Sequence, residues 1–196
     1  LRFHLFLQWI ADRQLKAAAD SSRLSLGLCR DLAVGAALDG AESWRKASRL
    51  LDGFSIGAPP DAFSREGQSW GLPAPDPCAV EADGGADFAE LLRANMRHAG
   101  ALRIDHAMGL ARLFLTPQGE KPALGAYVSY PDETLLAQLA LESGRARCLV
   151  VGEDLGTLPW GFRDRLAQAN VLSYRVLWFE RAGDDFIAPA DYPAKA

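Results

Sequence analysis

Helix-like and strand-like segments alternate along this chain, and two of the strand-like runs end abruptly in acid. One is Ala101-Leu-Arg-Ile-Asp-His106; the other is Cys148-Leu-Val-Val-Gly-Glu-Asp-Leu-Gly156. Alternation of this kind calls for parallel strands joined by crossover helices. In a parallel sheet the strand C-termini share one edge, where ligands and active sites collect in open α/β sheets and eightfold barrels alike. Two acids at the ends of two such strands, one crossover apart, can aim a carboxylate pair at one substrate. Retaining glycoside chemistry needs such a pair: one carboxylate attacks and one carboxylic acid protonates.

Periodicity predicts helices over His4–Ala19, Asp87–Ala99, Pro131–Ser143 and Pro159–Ala169. In the first, Leu5, Leu7, Trp9, Ile10, Leu15 and Ala18 fall on one side, opposite Asp12, Arg13 and Lys16. Proline opens the last two, at the position where its missing N–H costs nothing. Strands are predicted over Leu24–Val34, Ala101–Asp105, Arg147–Glu153 and Val171–Phe179, and a short helical turn within Gly40–Leu51. Four strands cannot close a barrel that needs eight. Residues 54–77 stand apart, because Pro59, Pro60, Pro73, Pro75 and Pro77 with Gly57, Gly67 and Gly71 argue against helix and sheet. The interleaved Phe54, Phe63 and Trp70 point to an ordered, functional loop.

Arg103 and Asp105 lie two apart on a strand and so face the same side. The guanidinium would hold the carboxylate ionised, the state a nucleophile needs; the same pair equally suits a structural ion pair at a strand end. Glu153 emerges from the apolar run Leu149-Val-Val151, with Gly152 leaving space beside it. A raised pKa there suits a general acid, and a loop or capping role remains open. A nucleotide-hydrolysing site would need a G-x-x-x-x-G-K-[ST] loop, which the sequence lacks. In the Pro-rich segment Trp70 and Phe63 offer faces for stacking on pyranose rings and Gln68 an amide for hydroxyls; both rings could instead anchor the loop. Asp31 ends the first strand and could bind a sugar hydroxyl or cap a turn. His106 lines the site only if the chain turns after Asp105, while His4 and His98 read as surface or packing residues.

The bulk numbers narrow the partners. The 196 residues are 49% hydrophobic and 23% charged, ordinary for a globular chain, with a net charge of −4 and no basic footprint for nucleic acid. Lys and Arg are scattered, which disfavours an anionic membrane surface, and no apolar run approaches the ~18 residues of a membrane span. Cys29, Cys78 and Cys148 lie far apart, with no disulfide framework and no metal-ligand spacing. Cys29 and Cys148 read as small core residues, and a reducing cytoplasm fits. No metal and no cofactor is expected. The chain starts at Leu1, without Met, stops at Asp191-Tyr-Pro-Ala-Lys-Ala196, and reads as a piece of a longer protein.

Five words taken in order carry a family resemblance: Arg30-Asp-Leu-Ala-Val-Gly35, Gly57-Ala-Pro-Pro-Asp-Ala-Phe-Ser64, Gly67-Gln-Ser-Trp-Gly71, Arg103-Ile-Asp-His106 and Gly152-Glu-Asp-Leu-Gly156. The chain resembles the 4-α-glucanotransferases, or amylomaltases, of glycoside hydrolase family 77. The resemblance implies an α/β fold, a partial (β/α)8 TIM barrel of the α-amylase clan. Residues 1–196 would supply roughly strands three to six as one incomplete catalytic section, with 54–77 as a substrate-covering loop after strand three. It implies Asp105 as nucleophile and Glu153 as acid/base. It implies Asp31, Asp61, Gln68, Trp70, Arg103 and His106 as residues that meet the glucan or support the nucleophile. The partners implied are α-1,4-glucans and maltooligosaccharides. The rival readings are an α-glucan hydrolase of the same clan and a non-catalytic glucan-binding module. Two words depart from the family pattern: Asp31-Leu-Ala33 stands for Asp-Leu-Pro, and Gly71-Leu-Pro73 for Gly-Asn-Pro. The family's third catalytic Asp, in a His-Asp pair after a later strand, has no counterpart here.

Overall fold

The computed structural model describes residues 1–193. Four short strands, β1 (Cys29–Leu32), β4 (Ala101–Ile104), β7 (Leu149–Gly152) and β8 (Leu172–Ser173), pair in that order and all in parallel. The register is continuous: Leu32, Ile104, Gly152 and Ser173 share one row, and Asp31, Arg103, Val151 and Leu172 the row before it. The alternation of helix and strand foretold this α/β sheet. The outer strands are shorter than their sequence suggests, because regular pairing in Leu24–Val34 and Val171–Phe179 covers four and two residues. Gly100 is obligatory where the chain enters β4, since a Cβ there would fall 1.3 Å from the Leu26 carbonyl oxygen.

The helices are α1 (Arg2–Ser21), α2 (Ala41–Arg45), α3 (Pro77–Ala82), α4 (Ala86–Met96), α5 (Asp132–Ala146) and α6 (Phe162–Gln168). The core lies where α4, α5 and α6 meet the helix-facing side of the parallel sheet. Leu92 and Met96 of α4, Leu135 and Leu139 of α5, and Phe162 and Leu166 of α6 pack with Leu102, Ile104 and Val150. The apolar stripe of α1 behaves otherwise, as no residue of that helix is buried. Asp12 ties α1 to Arg97 and His98 at 2.8 and 3.1 Å. Cys29 is exposed and Cys148 buried, so only one of the two strand cysteines is a core residue. A four-residue strand at the open edge of the sheet leaves Cys29 without a covering layer.

The largest correction concerns residues 54–77, which are not one long loop. Phe54–Ala58 is strand β2 and Gln68–Leu72 is strand β3, antiparallel to one another, and α3 begins at Pro77. Two further strands follow β4: β5 (Arg112–Pro117) and β6 (Ala126–Ser129). The four form a second sheet in the order β3-β2-β5-β6. Pro59, Pro60, Pro73 and Pro75 lie in the connections and Pro77 opens α3, so the rule that proline breaks strands held locally while the strands formed between the breaks. Gly57 is the closest approach in this sheet; a Cβ there would lie 2.0 Å from the Gln68 carbonyl oxygen. Ile56, Leu113 and Leu115 join the same hydrophobic cluster as the parallel sheet. The Tyr130 hydroxyl donates to the Pro75 carbonyl at 2.6 Å, pinning the end of β6 to the segment after β3. Arg181–Ala182 (β9) and Asp185–Phe186 (β10) make a small hairpin near the C-terminus. Among the described residues no helix is long and apolar enough to cross a membrane.

Candidate active site

The parallel register decides which side chains converge. Side chains alternate across a strand, so Asp31, Arg103, Asp105, Glu153 and Tyr174 occupy rows of a single parity and project from the face opposite the core helices. Asp105 directly follows β4 and Glu153 directly follows β7, and the last residues of those strands, Ile104 and Gly152, are register partners. The two acids therefore stand at the same edge of adjacent parallel strands. The ladder continues through both, with the Asp105 N–H donating to the Leu32 carbonyl and the Glu153 N–H to the Ile104 carbonyl, each at 2.9 Å.

Arg103 serves two carboxylates. One terminal nitrogen donates to Asp105 at 2.9 Å and the other to Asp31 at 2.7 Å. The Asp105 pairing follows from spacing along one strand; the Asp31 pairing depends on the β1–β4 register and was not visible in the sequence. The Asp31 bond, with the Asp105 bond beside it, raises the pKa of Arg103 against the cost of its burial. The guanidinium carbon also lies 5.2 Å from the centre of the Tyr174 ring. Tyr174 follows β8 as Asp105 follows β4, and the strand-end logic applied to β8 would have found it.

Glu153 sits in a different environment. Burial raises its pKa above the usual carboxylate value, and the nearby Asp105 charge pushes the same way. Two backbone amides oppose this: the Leu155 N–H donates to Oε1 at 3.1 Å and the His106 N–H to Oε2 at 3.0 Å. The expectation of a raised pKa at the end of an apolar strand thus holds for the stated reason, desolvation. The two acids differ in their surroundings: Asp105 accepts from the Arg103 guanidinium, whereas burial favours the protonated form of Glu153.

His106 is in the left-handed region at φ 50°, so the chain does turn there. The turn aims its amide at Glu153 and brings its ring edge-on to Trp70, with centroids 5.3 Å apart. Burial lowers the His106 pKa, partly offset by the Asp105 charge. Trp70 packs on the core and donates its indole N–H to Gln68 Oε1 at 3.0 Å, so both residues of β3 reach the site through His106. Asp61 takes part in its own turn: Oδ1 accepts the amides of Phe63 and Ser64 at 2.8 and 2.6 Å. Phe63, in that turn, is 91% exposed and anchors nothing. Asp31, Asp105 and His106 also border a cavity of about 410 Å³ that runs between α4 and the two sheets. No cluster of three or more His, Cys, Asp or Glu among the described residues is placed to hold a metal ion.

Comparison with known proteins identifies the family. The family model described as 4-alpha-glucanotransferase, glycoside hydrolase family 77, matches residues 1–196. A 4-alpha-glucanotransferase of Haemophilus influenzae is 43% identical over all of this chain, and one of Mycobacterium bovis is 42% identical over 99% of it. The chain spans about 28% and 27% of those two relatives. Among solved structures, amylomaltase from Corynebacterium glutamicum superposes with a TM-score of 0.88 at 38% identity, covering 94% of this chain and 27% of that one. Amylomaltase from Streptococcus agalactiae in complex with acarbose shares the fold, with a TM-score of 0.70 at 21% identity over 78% of this chain and 32% of that one. The chain belongs to the 4-alpha-glucanotransferase family, glycoside hydrolase family 77.

Proposed function

We propose that this chain is the central section of a 4-α-glucanotransferase, which moves α-1,4-glucan segments to glucose or maltooligosaccharide acceptors with retention. The parallel sheet would then be roughly strands three to six of an eightfold barrel, completed by the rest of the protein. The observation that carries the reading is the pair of acids after adjacent, in-register strands, one bonded to a guanidinium and one half-buried with a raised pKa.

In the first step an Asp105 oxygen attacks the anomeric carbon. The glycosidic C–O bond breaks, and the Glu153 carboxyl gives its proton to the departing oxygen. In the second, the Glu153 carboxylate takes the proton of the acceptor's 4-hydroxyl while that oxygen displaces Asp105. Two inversions leave the α-configuration intact. Arg103 orients Asp105 through its 2.9 Å bond and holds Asp31 near the sugar hydroxyls. A third acid, outside this chain, completes the family set. Transfer needs the acceptor to outcompete water at roughly 55 M, which well-oriented binding can do. Trp70 and Gln68 are the proposed acceptor-facing residues, with Asp61 holding the turn before them.

The full-length protein incubated with maltotriose should yield glucose together with maltopentaose and longer α-linked chains. Glucose and maltose without longer products would replace the transferase reading with a hydrolase.

A further inference from the structure

Resting on the reading of Glu153 as acid/base, we infer that Asp154 is its positioning residue: clamped behind the sheet by Arg163 and Ser173, it fixes the turn whose Leu155 amide holds the Glu153 carboxyl. Asp154 is adjacent in sequence but opposite in parity, so it projects to the helix side while Glu153 projects to the substrate side. Its side chain is 1% exposed. Arg163 of α6 donates Nε–H to Oδ2 at 2.8 Å, and the Ser173 hydroxyl of β8 lies 2.9 Å from both carboxylate oxygens. Arg163 also donates a terminal N–H to the Asp154 carbonyl at 3.0 Å, so side chain and backbone of one residue are held by one guanidinium.

Such a network exceeds what a loop needs in order to close. A buried carboxylate costs stability unless fully paired, and this one is paired from two elements that flank the turn. What lies between the clamps is Glu153 and its donor. The Glu153 backbone is tied to the β4 side as well, its N–H to Ile104 and its carbonyl accepting from Ala107, each at 2.9 Å. With β4 holding one side of Glu153 and Asp154 the other, the carboxyl is aimed by backbone amides, with no side-chain hydrogen bond among the described residues. It is left available to carry a proton.

The groups facing Glu153 are Asp105, Arg103 and His106 from β4 and the turn after it, and the Leu155 amide from its own turn. Beyond β8 stands Tyr174, whose ring lies by Arg103; behind the turn stand Asp154, Arg163 and Ser173. The Leu155 amide favours the ionised carboxyl, so releasing that turn raises the pKa of Glu153 further.

The test uses the full-length protein with Asp154→Ala, Asp154→Asn and Glu153→Gln, assayed on maltotriose and on α-glucosyl fluoride. A displaced acid harms the natural substrate, whose leaving group needs a proton, more than the fluoride, which needs little. Asp154→Ala should lower kcat/KM for maltotriose by on the order of 10²-fold, within the range of general acid catalysis, and that for the fluoride by less than about tenfold. The alkaline limb of its kcat/KM profile should move to higher pH by up to about one unit, the worth of one hydrogen bond to a charged group. Asp154→Asn, which keeps shape and acceptor, should restore most of the maltotriose activity. Should Asp154→Ala fail to fold, Ser173→Ala removes a single hydroxyl and should show the same split, reduced in size. Equal losses on both substrates with an unmoved alkaline limb would make Asp154 a scaffold residue and overturn the inference. Absence of the split in Glu153→Gln would overturn the acid/base reading itself, so the two failures are distinguishable.

Discussion

The parallel sheet β1-β4-β7-β8 and the antiparallel sheet β3-β2-β5-β6 share one hydrophobic core but divide the polar residues unevenly. All four parallel strands point the same way, so whatever follows each strand arrives at one edge: Asp105, Glu153 and Tyr174 after β4, β7 and β8. The antiparallel strands reverse direction at every step, so their ends divide between two edges. That sheet instead presents the aromatic and amide side chains of β3 along a strand and reaches the acids through the contact of Trp70 with His106. The difference suggests a division of labour, in which parallel strand ends perform the chemistry and antiparallel strands shape what meets it.

If the division holds, substitutions in the two sheets should fail differently. The largest effect is expected at Asp105→Asn in the full-length protein. Turnover should fall by about 10⁴-fold or more, the scale at which loss of a nucleophile is felt. The melting temperature should barely move, since Asp105 is partly exposed and only its bond to Arg103 changes. Turnover within tenfold of the parent would move the chemistry out of the parallel sheet.

Next comes Leu102→Ala in β4, whose side chain is 0% exposed. It should destabilise by about 2–5 kcal/mol, measured by denaturant titration, because it leaves a cavity between the sheet and its helices. Gly57→Ala should cost less, about 1–3 kcal/mol. The added methyl meets the Gln68 carbonyl and pushes β3 away, so its mark should be a loss of transfer to added maltose with hydrolysis largely kept. Equal loss of transfer and hydrolysis would deny the antiparallel sheet a role of its own. Trp70→Ala should lower the ratio of transfer to hydrolysis by a few-fold to about tenfold, in line with one lost aromatic contact. Both products must be counted in one assay across acceptor concentrations, and an unchanged ratio would make Trp70 a packing residue.

The smallest effect concerns pH and stability. The pKa of Glu153 is raised in the folded protein, so the folded state holds that proton more tightly than the unfolded chain. Ionising it therefore costs stability. The cost is absent below about pH 4, the unfolded value, and complete once pH has risen through the folded pKa. The unfolding free energy of Glu153→Gln relative to the parent should accordingly shift in the variant's favour as pH rises through that window, then level off. A shift of opposite sign would mean that the two amides outweigh burial.

The parallel half was legible in the sequence for a physical reason: each strand is a local apolar run between helices with their own period, and β4 and β7 announce themselves by the acids that end them. The spacing of Arg103 and Asp105 gave their pairing directly. The Asp31 bond to Arg103 was hidden because it depends on register between β1 and β4, 72 residues apart. The antiparallel half was hidden twice over. β2 and β3 are five-residue strands on either side of Pro59-Pro60, and β2 pairs with β5 some 60 residues on, so nothing local marks that partner. The stripe on α1 was legible as a stripe, but amphipathicity shows which face is apolar, not whether anything covers it. Asp154, Arg163 and Ser173 were overlooked beside Glu153. Strand parity alone would have sent Asp154 to the opposite face and prompted the question of what held it there.

The account stands or falls on whether sugar becomes attached to Asp105. With Glu153→Gln in the full-length protein, α-glucosyl fluoride needs little protonation to react, while the second step lacks its base, so the intermediate should accumulate. Mass spectrometry of the digested protein should then find one glucosyl unit on the peptide holding Arg103-Ile-Asp-His106, placed by fragmentation on Asp105. A glucosyl unit on another residue, or normal turnover with no adduct, would contradict it.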